Sequence, residues 1–313
     1  MKTNTCAKSK KQKINLKKVN WPLVSMLIPG IVLLVVFKYI PITGIIVAFK
    51  KLSYVDTIWS APWCGLDNFK FLFSTPDAWV ITRNTILYNI VFIIGGLFLN
   101  VSFAVMLDEL RNKRAVKIYQ NIIFLPYLFS IVIVTYLFYG FFSNNYGILN
   151  SLLKTLGFKS VSWYTDASKW PFILVFVHFW MCVGYGSILY IAGIAGIDSS
   201  LFEAAKIDGA TRWQKIRYVT IPSLMPIIII NFIMNVGRIF NSDFGLFYTF
   251  PMNSAPLYRV TNVIDTYVYR SLMVTGDTGM SAAATFYQSV VGFVLIMIAN
   301  GVVNKIDSEK AMF

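Results

Sequence analysis

The chain is poor in the residues that carry out chemistry. Among 313 residues there is one histidine, His178, and three cysteines, and only 13% are charged. A single histidine cannot begin a metal centre, and no Cys-x-x-Cys spacing supports one, so no metal ligands are expected. Cys6 is predicted inside, Cys64 outside and Cys182 within a membrane helix, so no two meet where a disulfide forms easily. The phosphate-cradling loop Gly-x4-Gly-Lys-Ser/Thr is missing, and so is the Gly-x-Ser-x-Gly nucleophile elbow. No paired carboxylates suit hydrolysis. The chain is therefore expected to do no chemistry on a substrate and to bind no cofactor of its own.

Apolar residues are abundant instead. Hydrophobic types make up 57% of the chain, and the mean hydropathy of +0.63 is too high for a soluble surface. A bilayer core takes about 20 apolar residues per helix, and six stretches qualify: 21–40, 84–107, 118–142, 171–195, 223–240 and 281–303. The fold class expected is an all-α integral membrane protein of about six transmembrane helices.

The net charge of +14 could suggest a nucleic-acid partner, but the basic residues sort by membrane side. With the N-terminus inside, the cytoplasmic segments hold 17 Lys and Arg and the outside segments 9, with Lys38 and Arg238 at boundaries. Acidic residues divide 7 and 7. This is the lysine and arginine bias that orients membrane proteins, and it predicts both termini in the cytoplasm and no nucleic-acid partner. The basic tail over residues 1–20 reads as an orienting segment against lipid headgroups. No small-residue cleavage site follows it before Lys50, which argues against a secretory signal.

Between the fourth and fifth stretches lies a polar island at about 198–222. Ser200 can cap a short helix, with Glu203 reaching back; Gly209 breaks that helix, and Thr211 with Gln214 repeats the capping pattern. The order Glu203, Ala204, Ala205, Gly209, Val219, Ile221, Pro222 resembles the EAA loop of bacterial ABC importer permeases, of the type I, maltose-transporter kind. That family more often has Ile and Leu where this chain has Val219 and Ile221. The resemblance extends from the first helix to the C-terminus, making residues 21–313 a transmembrane permease domain with the type I ABC importer fold.

What the resemblance implies is function at a distance. The first short helix, with Glu203, Ala204, Ala205, Lys206 and Asp208, would seat in a groove of a separate ABC ATPase. There Glu203 would meet an arginine, the two alanines would permit close approach, Gly209 would make the corner and Pro222 would open the next helix. ATP and Mg would be bound by that partner. The implied assembly adds a second homologous permease, two cytoplasmic ATPase subunits and an extracellular sugar-binding protein or lipoprotein, in a bacterial cell membrane. The segment Asp265, Thr266, Tyr267, Val268, Tyr269, Arg270, with Gln288 and Asn300, resembles permeases that import complex or long oligosaccharides. A non-sugar solute within the same family, and an autonomous secondary transporter or channel outside it, are the alternative readings.

Other residues carry weaker signals. The fifth stretch is the most polar: Asn231, Asn235, Arg238, Asn241 and Asp243 recur every three to four residues on one expected helical face. A charge in hydrocarbon is costly, so that face is read either as the translocation path or as a helix interface joined by asparagines. His178 reads as a packing histidine before a relay residue. Tyr54, Trp59, Trp63 and Trp79 read as an interfacial belt before a sugar platform. Gly95 and Gly96 suit close helix packing, Pro126 invites a kink in the third helix, and 145–156 reads as a short amphipathic surface helix.

Overall fold

Two helices carry the architecture: α2 (Pro76–Asp108) and α6 (Trp170–Ala195) run side by side through the centre of the bundle. Their approach depends on a missing side chain. A Cβ on Gly95 would lie 2.5 Å from the Phe179 ring, so the ring sits where any larger residue would be. Around the pair, Tyr88 and Phe92 of α2 and Trp170, Leu174 and Val177 of α6 form a core with Val134, Leu246, Phe247 and Phe250. In a bilayer this close packing takes the place of a hydrophobic drive between helices.

The computed structural model describes residues 20–306 except 54–55, 71–73 and 75, which leaves the basic tail and Tyr54 outside the description. The chain divides into two compact units after Ile46. In the first, α1 (Trp21–Leu34) runs through Pro29 into a π turn, Val35–Tyr39, and its apolar side chains are exposed. Helical winding continues to Phe49, so the stretch expected to stop near residue 40 is lengthened rather than turned back. The second unit holds every other element.

Among the described residues, five helices are long and apolar enough to cross a membrane, six when one bent pair counts as a single span. The fourth stretch matches α6 almost residue for residue. The second starts earlier than expected, at Pro76 rather than 84, and the sixth, α11, spans Thr278–Ile306. The third differs in kind. The expected kink at Pro126 is instead a 96° break between α3 (Lys113–Phe124), extended by a 3-10 turn to Leu128, and α4 (Ile131–Phe142). Pro126 is the second residue of the 3-10 turn and Phe129 adopts an extended backbone; Ser130 then caps α4 by accepting from the Val132 amide at 3.4 Å. The surface helix appears as α5 (Ile148–Thr155), anchored by the buried Asn150, which exchanges hydrogen bonds with the backbone of Val161.

At the end of the bundle where α2 and α6 begin, the chain between residues 250 and 275 is tied down throughout. Met252 and Asn253 adopt left-handed backbone. Arg270, on α10 (Ile264–Thr275), donates to the side-chain oxygens of Asn253 (2.9 Å) and Asn262 (2.5 Å), with its guanidinium 4.0 Å from the centre of the Tyr258 ring. From α2, Asn84 donates to the carbonyls of Arg259 and Asn262, Tyr88 to that of Val260, and Thr85 accepts from the Ile264 amide. The segment from Asp265 to Arg270 is thus helical and locked to the core.

Candidate functional site

The polar island is two short helices with a tight corner. The first, α7 (Ser199–Ile207), is capped by Asp198, whose carboxylate accepts from the Ser200 amide at 2.9 Å. Ser200 and Glu203 do not form the expected cap: the helix begins two residues earlier, and the Asp198 carboxylate serves the Ser200 amide directly. The Ser200 amide and hydroxyl hold the Asp198 carboxyl below its ordinary pKa. Glu203, Ala204, Lys206 and Asp208 are exposed and Ala205 is half-buried.

α7 ends in two nested bonds, Gly209 N–H to Lys206 C=O (3.2 Å) and Ala210 N–H to Ala205 C=O (2.9 Å). This is the Schellman arrangement, and it needs a left-handed residue. Gly209 supplies it, with φ +74°. The next helix, α8 (Arg212–Lys215), opens on the expected reciprocal cap: Gln214 N–H to the Thr211 hydroxyl, Thr211 N–H to the Gln214 carboxamide at 2.7 Å. A π turn, Ile216–Thr220, then leads without a break in winding into α9 (Ile221–Val236), with Pro222 its second residue. Three large apolar side chains stand out from this polar corner: Leu201, Ile207 and Trp213, the last two 87% and 69% exposed.

The second feature is a cavity of about 600 Å³ between α2, α6, α9 and the segment after α9. All five polar residues of the fifth stretch line it, but one helical face does not bring them there. α9 stops at Val236; Asn231 and Asn235 lie on it one turn apart and are hydrogen-bonded to each other. Arg238 sits in the turn that follows, and Asn241 and Asp243 lie in non-helical chain beyond it. Asp243 accepts from the Leu246 amide at 3.2 Å, starting the next helical turn. The chain unwinds within the stretch expected to stay helical to residue 240.

Sequence reasoning missed part of this lining. Asn89 and Asn100 face the cavity from α2, and Tyr127 stacks on Tyr185 at its edge, 4.2 Å between ring centres and 5° from parallel. The signal for α2 was present: Asn89, Gly96 and Asn100 fall at helical spacing on one side of an apolar helix. No such pattern marks the tyrosines, which come from separate helices. His178 also lines the cavity, stacked on Phe92 at 3.7 Å, and its Nδ1 is buried without a hydrogen-bond partner. It packs, as expected, and it also borders open space. Cys64 and Cys182 are free.

Spans, capped polar corner and polar cavity together define a class, the membrane-spanning permeases. The chain belongs to the family described as binding-protein-dependent transport system inner membrane component, whose profile matches residues 93–308. It is 32% identical over 294 residues to Protein LplB of Bacillus subtilis (strain 168), covering 94% of this chain and 92% of that one. With the Polygalacturonan/rhamnogalacturonan transport system permease protein YteP of the same organism it shares 28% identity over 284 residues, covering 91% and 88%. Among solved structures, a chain of a bacterial alginate ABC transporter, crystallised in complex with an alginate pentasaccharide-bound periplasmic protein, superposes with a TM-score of 0.80 at 30% identity, covering 91% of this chain and 95% of its own. The resemblance first carried by the Glu203–Pro222 pattern therefore holds, and the chain is a permease subunit of the inner membrane.

Proposed function

We propose that this permease forms one half of an oligosaccharide path, is driven by ATPase subunits that seat on α7, and receives cargo from an extracellular binding protein. The observation that carries the drive is the corner itself. Leu201, Ile207 and Trp213 each stand exposed on the same polar loop as Glu203, which is capped at each of its two helices, and exposed apolar side chains on such a loop call for a protein partner. Glu203 meets a cationic group of that partner, Ala204 and Ala205 let the helix approach closely, and Lys206 and Asp208 border the contact. Gly209 fixes the angle between α7 and α8, and Pro222 begins the helix that carries motion to the cavity. ATP and Mg are the partner's. Both termini lie on the cytoplasmic side with this loop, and a second permease faces the cavity.

The cargo reading rests on the cavity's chemistry and on the relatives. Asparagine amides, Arg238 and the stacked Tyr127–Tyr185 pair offer hydrogen bonds and flat faces suited to sugar hydroxyls and rings. Two of the proteins named above are described by saccharide cargo, YteP by polygalacturonan and rhamnogalacturonan and the solved transporter by alginate. The test is ATPase activity of the complex, reconstituted with its binding protein and screened over an oligosaccharide panel. Saccharide-dependent stimulation is expected; stimulation only by a non-sugar solute would overturn the cargo, and solute flux by the pure chain alone would overturn the ATP drive.

A further inference from the structure

The unwound segment after α9 leaves backbone groups that the helix would have satisfied, and inside a membrane each must find another partner. The carbonyls of Ile239 and Phe240 and the amide of Ser242 find theirs in three side chains from three different helices. Asn89 of α2 donates to the Ile239 carbonyl at 2.9 Å. Gln288 of α11 donates to the Phe240 carbonyl at 2.6 Å. Asp265 of α10 accepts from the Ser242 amide at 2.7 Å, and its other oxygen accepts from Gln288 at 3.3 Å. Gln288 is buried, and neither it nor Asp265 lines the cavity. α11 also closes on the segment from behind, since a Cβ on Gly292 would lie 2.4 Å from the Gly237 carbonyl.

We propose that Asp265 and Gln288 form a polar clasp whose role is to hold residues 237–243 unwound, so that Arg238, Asn241 and Asp243 face the cavity. They are positioning residues that act through backbone they grip. Asp265 suits its place as a carboxylate, because both of its oxygens accept. An amide there offers one oxygen to two donors. Gln288 suits its place because one amide nitrogen bridges a carbonyl and that carboxylate. Calling the gripped wall a cargo-contacting one rests on the proposed function; the grip itself does not.

The test reads geometry without cargo or ATP. In full-length chain in membranes, with Cys6→Ser, Cys64→Ser and Cys182→Ala, the labelling rate of Asn241→Cys by a small maleimide is compared with that of Tyr185→Cys on another wall of the cavity. Asp265→Asn, and separately Gln288→Met, which keeps length and packing but removes the donors, should each change the rate at position 241 by roughly fivefold or more. The rate at position 185 should stay as it was. If neither position responds, or if both change together as in general loosening, the clasp is overturned. A transport screen that failed to find a sugar would leave this result untouched.

Discussion

The two ends of this permease satisfy their backbones in opposite ways. Between residues 250 and 275, the chain is tied across its own turns and to a distant helix: Arg270 to Asn253 and Asn262, Asn84 and Tyr88 of α2 to carbonyls some 170 residues on. Between Asp198 and Lys215, the bonds seen are local, each made within a few residues: the Asp198 cap, the nested pair at Gly209, the Thr211–Gln214 box. One end is completed by its own chain. The other is rigid in itself yet presents its apolar side chains outward, which is how a part looks when a second protein completes it.

Substitutions can break or sharpen that contrast, because damage at the self-completed side should appear in the isolated chain and damage at the loop only in the assembly. The largest effect is expected behind the cavity. Gly292→Leu drives a side chain into the Gly237 carbonyl, and overpacking of this kind costs about 3 kcal/mol or more; thermal unfolding in detergent should show the chain failing to fold stably. Next comes Arg270→Met, which leaves Asn253 and Asn262 without their charged donor, at about 2–3 kcal/mol in the same measurement. Gly209→Val forces a left-handed conformation on a β-branched residue, for about 1–2 kcal/mol locally. Its unfolding temperature should barely move, while ATPase stimulation in the complex falls roughly tenfold or more. Full stimulation in that variant would remove the coupling role from the corner. The smallest effect is Thr211→Ala, about 1 kcal/mol of cap, visible as faster hydrogen exchange confined to Arg212–Lys215.

The contrast also explains what could be read in advance. The corner was legible down to Gly209 and the Thr211–Gln214 box because its bonds are short-range, and short-range bonds leave their pattern in adjacent residues. Even there a single oxygen was misassigned: Asp198, two residues before Ser200, does the capping. The end of α9 was not legible. The stretch was expected to stay helical to residue 240, and the groups that make unwinding possible, Asn89, Asp265 and Gln288, sit far away in sequence. The 96° break in the third span lay between these cases. Ser130 before Ile131–Val134 is a start signal that was available, while the attention drawn by Pro126 pointed to a kink in one helix rather than two helices. The cavity was half legible, since asparagines on one helix announce themselves and two tyrosines from different helices do not.

The π turn at Ile216–Thr220 separates the corner from the cavity, and it amounts to one surplus residue wound into the shaft between them. Each residue of an α-helix advances the winding by about 100°. Were these residues to rewind as ordinary α-helix with none removed, Asn231 and Asn235 would swing about a quarter-turn out of the cavity, with α8 and α9 both intact. The turn thus sets the angular phase between corner and cavity, like the keyway of an axle, and a chain one residue shorter there should keep its polar stripe facing the cavity.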